Sequence, residues 1–100
     1  MLQIIWEYRV HREKADGFEK YYGAKGDWAQ FFRTGAGYLG TTLLRDPDHV
    51  DHYATIDLWD SADDYLRFKE THAAEYKQRD AHCEQFTIDE RLVGYFETLA

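Results

Sequence analysis

Apolar and polar residues alternate along the first segment of the chain, residues 3–11. One set of alternate positions is apolar and the other is mostly polar: Ile4, Trp6, Tyr8 and Val10 against Ile5, Glu7, Arg9 and His11. A period of two is typical of a β-strand, in which successive side chains point to opposite faces. The pattern therefore predicts that this segment forms the first strand.

The next part of the chain changes to a helical period, first from Glu13 to about Tyr22 and then from Trp28 to Arg33. Its aromatic residues recur at intervals that place each set on one side of a helix: Phe18, Tyr21, Tyr22 and then Trp28, Phe31, Phe32. Gly23 and Gly26 separate the two stretches, and Asp27 with Gln30 resembles a capping box. We therefore expect a broken helix that restarts at Asp27.

Two further strands and a turn follow. Segment 38–45 carries the β-branched residues Thr41 and Thr42 at its centre, which favours a strand. The tripeptide at 46–48, Asp-Pro-Asp, is typical of a turn, because proline fixes φ and the Asp side chains can bond back to the chain. Segment 52–59 is then expected to return as a third strand, paired with the second.

A second helical segment and a last strand complete the chain. Ser61 is a candidate N-cap, and segment 62–86 carries one inward stripe at spacings of three and four: Tyr65, Phe68, His72, Tyr76, Arg79, Cys83 and Phe86. A kink is expected near Thr71 and His72. Residues 91–97 alternate as a strand, with Leu92, Gly94 and Phe96 on one face.

The order of elements predicts a single domain over residues 1–100. Strand, helix, strand, strand, helix, strand is the split β-α-β arrangement of the ferredoxin-like α+β class, a four-stranded antiparallel sheet with helices on one face. Apolar residues also occur on the other face, where Ile5 and either Val93 or Leu92 need to be covered. Two such sheets packed face to face form a dimeric α+β barrel, so we expect a homodimer.

Composition excludes several classes of partner. The 100 residues include 12 Lys and Arg against 19 Asp and Glu, and the basic residues are scattered, which argues against nucleic acids and acidic membrane surfaces. Cys83 is the one cysteine, and no export or membrane-spanning segment is apparent, so we expect a cytoplasmic protein. Aromatic residues make up 17% of the chain, which indicates a ring-lined cavity or interface.

Three segments of the chain carry a resemblance to a known family: Trp6-Glu7-Tyr8-Arg9-Val10, Gly37-Tyr38-Leu39-Gly40 and Thr55-Ile56-Asp57-Leu58-Trp59-Asp60-Ser61. Over nearly its whole length the chain resembles the antibiotic biosynthesis monooxygenase domains of the dimeric α+β barrel superfamily. The resemblance implies oxidation of a small aromatic, polyphenol or quinol-type substrate, without a cofactor, in a pocket between helices and sheet. The alternative is a non-catalytic domain of the same fold that binds a small ligand or serves assembly.

The family's pocket uses Asn, Trp, Tyr and Arg side chains. By the resemblance, Trp59, Tyr65 and Arg79 match the pocket Trp, Tyr and Arg, and Thr55 stands where the family carries Asn. The chain contains no Asn, which argues against the haem-degrading branch of the superfamily. Phe68 also stands where that branch carries a Trp.

The resemblance also implies a role for each residue. Trp59 and Phe68 would stack on the aromatic substrate, Tyr65 would hydrogen-bond an oxygen, and Arg79 would stabilise a phenolate or enolate. Each has a structural alternative, because the three aromatic residues can equally fill the core. Arg79 can equally form a salt bridge from the helix to the sheet, to Asp57 or Glu7.

Helical spacing adds His72 as a candidate general base, one turn from Phe68, and Tyr76 as part of the ring-lined wall. His72 can instead simply sit at the helix kink. His49, Asp51 and His52 fall within one turn, but zinc requires three or four ligands of fixed geometry, so we expect no metal site. Cys83 is expected to be a small buried residue.

Overall fold

The computed structural model describes all residues, 1–100. The elements in chain order are β1 (Leu2–Val10), a 3-10 turn (Arg12–Lys14), α1 (Ala15–Tyr22), α2 (Asp27–Phe32), β2 (Tyr38–Arg45), β3 (His52–Trp59), α3 (Ala62–Thr71), α4 (Ala73–Cys83) and β4 (Thr87–Glu97). The strands form one antiparallel sheet in the order β2-β3-β1-β4. This arrangement confirms the predicted ferredoxin-like fold. None of the helices combines the length and apolar character needed to cross a membrane.

The break between α1 and α2 lies where the glycines predict it, but the capping box does not form. Gly26 is the N-cap of α2, and the Gln30 amide donates to the carbonyl oxygen of Lys25 at 3.0 Å instead of reaching back to the cap. Gly26 is buried where a Cβ atom would collide with the Tyr21 carbonyl, so only glycine fits. The Asp27 carboxylate is thereby left to contact α4.

The second helical segment follows the prediction closely. Ser61 Oγ accepts a hydrogen bond from the backbone N–H of Asp64 at 3.1 Å, which caps α3. The helix then breaks at His72, whose φ of −113° lies outside the helical range. The break ends α3 at Thr71, and α4 begins at Ala73.

The last strand differs from the prediction in its length and in which of its side chains share a face of the sheet. β4 begins at Thr87, four residues before the predicted start, because its first part pairs with β1 although its sequence is polar. Between the pairs Ile5–Gly94 and Trp6–Leu92 the register shifts by one residue. Val93 is the extra residue in β4 and has no partner in β1. The predicted placement of Leu92 and Gly94 on one face is therefore wrong, since a bulge interrupts the alternation.

Aromatic residues fill the space between the helices and the sheet. Phe18 is fully buried, stacks on Tyr22 with ring centroids 4.3 Å apart, and meets the Tyr8 ring at 5.2 Å. Trp59 and Phe68 continue this packing at the other end of the sheet. Most of the ring excess in the composition therefore belongs to one continuous core.

The opposite face of the sheet is uncovered in the single chain. We call it the open face, with the apolar residues Ile5, Leu44, Ile56, Leu58 and Phe96. Ile5 and Ile56 pair directly at its centre and are half-buried. Towards its edges, Leu44 and Phe96 are 47% and 49% exposed.

Candidate functional site

A cavity of about 170 Å³ lies between the helices and the sheet. Aromatic rings from β1, α1, α2 and α4 form half of its lining: Trp6, Tyr8, Tyr22, Trp28, Phe32 and Tyr76. Polar and charged side chains form the other half: Thr41, Thr55, Asp57, Lys69, Asp80 and Glu90. Apolar walls with converging polar groups are features of a small-molecule site, and this cavity is more polar than most such sites.

Thr55 and Tyr8 form a buried polar pair in the sheet wall of the cavity. Their hydroxyl oxygens are 2.8 Å apart, and both residues are almost fully buried. Burial raises the pKa of Tyr8 well above its usual value, against the opposing hydrogen bond to Thr55. The Tyr8 hydroxyl is therefore neutral at physiological pH and able to donate a hydrogen bond.

Asp57 is the most unusual polar residue of the cavity. It pairs with the buried Ile4, so its carboxyl group points to the helix-covered side of the sheet. Thr41 Oγ1 donates to Asp57 Oδ1 at 2.6 Å, and the Tyr38 hydroxyl in turn donates to Thr41 Oγ1 at 2.6 Å. Burial raises the pKa of Asp57 to about 6, although the Thr41 hydrogen bond opposes the rise.

The remaining charged residues lie at the opening of the cavity. Asp80 and Glu90 are exposed as whole residues. The carboxyl group of Glu90 borders the cavity, and this partial desolvation raises its pKa, with the charges of Asp80 and Glu84 adding to the rise. Lys69 Nζ lies 4.8 Å from the centroid of the Tyr76 ring. Since Lys69 is the one cation among the lining residues, the cavity carries a net negative charge.

Of the site residues predicted from the sequence, Thr55 and Tyr76 line this cavity. Tyr65 lies behind Tyr76 and is almost fully buried. Burial raises the pKa of Tyr65 far above its usual value, and the neighbouring Tyr76 hydroxyl adds to the rise. Burial also raises the pKa of Tyr76, to about 12. Both hydroxyls are therefore neutral hydrogen-bonding groups and not bases near pH 7.

Trp59 and Phe68 lie in the core and are not among the lining residues. Trp59 is fully buried, with ring centroids of Tyr65 and Phe68 each 5.5 Å away. Its indole N–H has no hydrogen-bond partner, which is rare for a buried donor. Both residues support the cavity from behind, and their stacking on a substrate stays a prediction.

Arg79 pairs with α2 and is not among the residues that line the cavity. Its Nε donates to Asp27 Oδ2 at 2.9 Å, and its guanidinium carbon lies 4.1 Å from the centroid of the Phe31 ring. The salt bridge considered from the sequence therefore exists, but with Asp27 and not with Asp57 or Glu7. Glu7 instead accepts from Arg91 at 2.9 Å on the open face.

His72 lies apart from the cavity, at the junction of α3 and α4. Its ring centroid is 4.7 Å from that of Phe68, and its Nδ1 is 3.3 Å from Glu75 Oε1. It borders a separate small cleft together with Gly35 and Arg67. Its role as a general base stays a prediction that this placement does not favour.

Reasoning from the sequence missed Asp57 and Lys69 as cavity residues. From the sequence, Asp57 is expected only as a partner of Arg79. The available signal is its position, because Asp57 lies midway between Thr55 and Trp59 at a spacing of two and therefore shares their buried face. A carboxylate on the buried face of a strand needs a specific explanation.

His49 and His52 both contact Asp46, and no group of three metal-binding side chains occurs.

Comparison with known protein families finds one match. The sequence model of the family described as antibiotic biosynthesis monooxygenase matches residues 1–82. A search of curated proteins finds no matching sequence.

Solved structures share the whole fold at low sequence identity. SnoaB from Streptomyces nogalater, described as a cofactor-independent oxygenase, is 20% identical with a TM-score of 0.80, over 99% of this chain and 93% of that chain. A protein from Deinococcus radiodurans is 18% identical with a TM-score of 0.74, over 100% and 94%. PA3566 from Pseudomonas aeruginosa is 17% identical with a TM-score of 0.70, over 99% and 94%. At these identities the likeness establishes the fold alone.

Proposed function

The chain belongs to the antibiotic biosynthesis monooxygenase family, and we propose that it oxidises a small aromatic substrate with molecular oxygen in the cavity between helices and sheet. The observation that carries this proposal is the cavity itself, whose aromatic walls suit a flat ring and whose polar residues suit its oxygen atoms. SnoaB, with the same fold, is described as a cofactor-independent oxygenase, which supports the proposal by analogy.

The substrate class is a phenol, a hydroquinone or an anthrone. Such a molecule becomes electron-rich when it loses a proton, and its anion can then reduce O₂ without a metal or an organic cofactor. In the oxidation of an anthrone, one oxygen atom of O₂ becomes a new carbonyl oxygen. The other oxygen atom leaves as water, together with the two hydrogens of the methylene group, so that the reaction balances.

The protein contributes binding, orientation and the exclusion of water. Tyr76 and Thr55 would contact the substrate directly, since both line the cavity. Trp59 and Phe68 would hold the wall from behind, and Tyr65 would support the Tyr76 hydroxyl. These contacts position the substrate ring beside the polar groups of the sheet.

A nearby cation would stabilise the negative charge of the substrate anion. Lys69 lines the cavity and lies against the Tyr76 ring, so it is available for this role. Arg79, which the resemblance assigns to the role, would first have to leave Asp27. We therefore propose Lys69 as the first cation to test and Arg79 as the second.

We also propose that the chain forms a homodimer through the open face. Ile5, Ile56 and Leu58 make its centre apolar, and Leu44 and Phe96 extend the apolar surface to the edges. A contiguous apolar surface of this kind is unusual on a monomer. A two-fold axis through the face would bury the same residues on both copies.

Oxygen consumption tests the proposed reaction. We expect the wild-type protein to consume O₂ with members of a panel of hydroquinones and anthrones. Tyr76→Ala removes a ring from the wall and should lower kcat/KM by about tenfold, the worth of one aromatic contact. Leu66→Ala, on the exposed side of α3, should leave the rate unchanged.

Two further variants test the residues implied by the resemblance. Trp59→Phe and Arg79→Ala should each lower oxygen uptake while their thermal melts remain cooperative, if these side chains act on the substrate. No uptake across the whole panel would refute the oxygenase proposal. Binding of the same compounds without uptake would instead support the non-catalytic ligand-binding alternative.

A further inference from the structure

We propose that Asp57 is the group that takes the proton from the substrate, with Thr41 and Tyr38 as positioning residues that hold its carboxylate. The inference rests on the proposed function of the cavity, because it assigns the first step of that reaction. It adds a residue that neither the family resemblance nor the helical spacing provides.

The geometry leaves one oxygen atom of Asp57 free to act. Thr41 occupies Oδ1, and the Tyr38 hydroxyl fixes Thr41 in the donating orientation, because Thr41 has one hydroxyl hydrogen to give. Oδ2 has no hydrogen-bond partner in the structure, and Asp57 lines the cavity. A substrate hydroxyl in the cavity would therefore find an unoccupied acceptor whose orientation is already set.

The environment of Asp57 also suits proton transfer near neutral pH. Burial raises its pKa to about 6, so the carboxylate is mostly ionised at pH 7 and yet more basic than an exposed carboxylate. The Thr41 hydrogen bond keeps the pKa from rising further, because it stabilises the ionised form. Asp57 is therefore both available as a base and strong enough to be useful.

Other candidate bases are less well placed. His72 borders a different cleft. Glu90 lines the cavity but is exposed at its opening, where water competes for any proton. Burial raises the pKa of Tyr8 and of Tyr76, so these lining hydroxyls keep their protons.

Several ionisable groups surround Asp57 and contribute to any pH dependence. Its charge adds to the rise in pKa that burial imposes on the four tyrosines around it, Tyr8, Tyr38, Tyr65 and Tyr76. The cavity is also bordered by one ammonium group and two carboxylates from α3, α4 and β4: Lys69, Asp80 and Glu90. Among these border groups the pKa of Glu90 is itself raised, so a variant of Glu90 is needed as a control.

The proton that Asp57 takes from the substrate is returned within the same reaction cycle. The O–H or acidic C–H bond of the substrate breaks, its electron pair stays on the substrate, and the proton bonds to Asp57 Oδ2. The anion reduces O₂ and forms a carbon–oxygen bond, which gives a peroxide anion. Asp57 returns its proton to that anion, and the resulting hydroperoxide loses water to form the carbonyl product. Asp57 is then ionised again for the next cycle.

A pH profile of oxygen uptake tests the assignment. With anthrone as the probe, kcat/KM of the wild-type protein should fall below a midpoint near pH 6, the pKa of Asp57. Asp57→Asn should lower the rate by about 100-fold or more, the usual worth of a general base, and should remove the acidic limb. Thr41→Val should move the limb to higher pH, since the carboxylate loses its donor.

Two carboxyl-to-amide variants serve as controls. Glu90→Gln should change the rate by less than about tenfold and keep the acidic limb in place, because the group lies at the opening of the cavity. Glu70→Gln, on the exposed side of α3, should behave as the wild-type protein does. Uptake by Asp57→Asn at the wild-type rate would overturn the inference and leave the oxygenase proposal standing.

A second measurement does not depend on activity. In a ¹³C NMR titration of labelled aspartate carboxyls, the resonance absent from Asp57→Asn should titrate near pH 6. Saturation with 2-naphthol, whose hydroxyl can donate to the carboxylate, should lower that midpoint, and naphthalene should not. If no compound supports oxygen uptake, this result would still establish the Asp57 carboxylate as the hydrogen-bond acceptor for a phenolic hydroxyl. A normal midpoint that 2-naphthol leaves unchanged would overturn the inference.

Discussion

The two faces of the sheet are built from the same strands but carry different chemistry. On the helix-covered face, Ile4, Tyr8 and Trp59 are almost fully buried among aromatic rings, and one cavity remains. On the open face, Ile5 and Ile56 are only half-buried, and Phe96 is 49% exposed. The covered face therefore holds the core and the proposed site, whereas the open face presents apolar side chains that no other element of the chain covers.

The two faces of this small domain have different roles, one in packing and substrate binding and the other in the proposed association. The covered face is packed within one chain, and the carboxylate of Asp57 lies in that packing beside the cavity. The open face contributes burial only if another copy covers it. Substitutions on the covered face should therefore change the stability of the monomer, whereas substitutions on the open face should change its association.

The largest effect is expected from removing a ring from the core of the covered face. Phe18→Ala should lower the free energy of unfolding by about 3–5 kcal/mol, because Phe18 is fully buried and packs against three other rings. Phe96→Ala, its counterpart on the open face, should cost less than about 1 kcal/mol in the monomer. Urea unfolding at low protein concentration measures both values, and equal losses would contradict the contrast between the faces.

The buried carboxylate should produce a smaller and pH-dependent effect. Because the pKa of Asp57 is higher in the folded protein, about 6, than its ordinary 3.8, folding binds a proton in this range. The stabilisation by protonated Asp57 is full below about pH 4 and is lost as the pH rises through 6. Asp57→Asn should thus be more stable than the wild-type protein by about 3 kcal/mol at pH 7.5.

The difference between Asp57→Asn and the wild-type protein should shrink towards zero at pH 4. Asp48→Asn, in the exposed turn, is the matched control and should show no such dependence. Urea unfolding at the two pH values provides the comparison. A constant difference across this range would mean that the carboxylate of Asp57 is not destabilised by burial.

A charge at the centre of the open face should break the proposed dimer. Ile56→Asp places a carboxylate beside Ile5 and should weaken association by about 2 kcal/mol or more, the cost of burying an unpaired polar group. Light scattering after size-exclusion chromatography should give twice 11.9 kDa for the wild-type protein and 11.9 kDa for the variant at micromolar concentration. Leu66→Asp, on the exposed side of α3, should stay dimeric. A monomeric wild-type protein would refute the proposed use of the open face.

The smallest effect is expected at Arg79. Its pair with Asp27 is partly exposed, so Arg79→Ala should lower the free energy of unfolding by about 1 kcal/mol or less, including the lost contact with Phe31. Arg79→Lys should recover part of that loss. A large drop in kcat/KM with an unchanged melting temperature would instead give Arg79 the substrate role that the resemblance implies.

Patterns in the sequence predicted much of the architecture. β2 and β3 begin and end at the predicted residues, because the turn at 46–48 and the cap at Ser61 are local signals. The polar start of β4 and its bulge were not predictable in this way, because pairing with β1 determines both. Local chemistry defines turns and caps, whereas an edge strand takes its register from its neighbour.

The site was less predictable than the fold. The stripe on the second helical segment correctly grouped Tyr65, Phe68 and Tyr76, but spacing alone cannot tell a core ring from a cavity ring. Arg79 lies on the same stripe, but its guanidinium group pairs with the Asp27 carboxylate of α2. The hydrogen bond that orients Asp57 comes from Thr41 on β2, a contact that no local pattern predicts. Sites of this kind depend on contacts between elements distant in sequence.

The proposed reaction inserts an oxygen atom from O₂ into an aromatic substrate in the cavity. Mass spectrometry of the product formed from anthrone under ¹⁸O₂ tests it most directly, with heat-denatured protein as the control for spontaneous oxidation. We expect one ¹⁸O atom in each product molecule that the wild-type protein forms, and formation at least about 100-fold more slowly by Asp57→Asn. Product without the label, or formation at the rate of the denatured control, would contradict it.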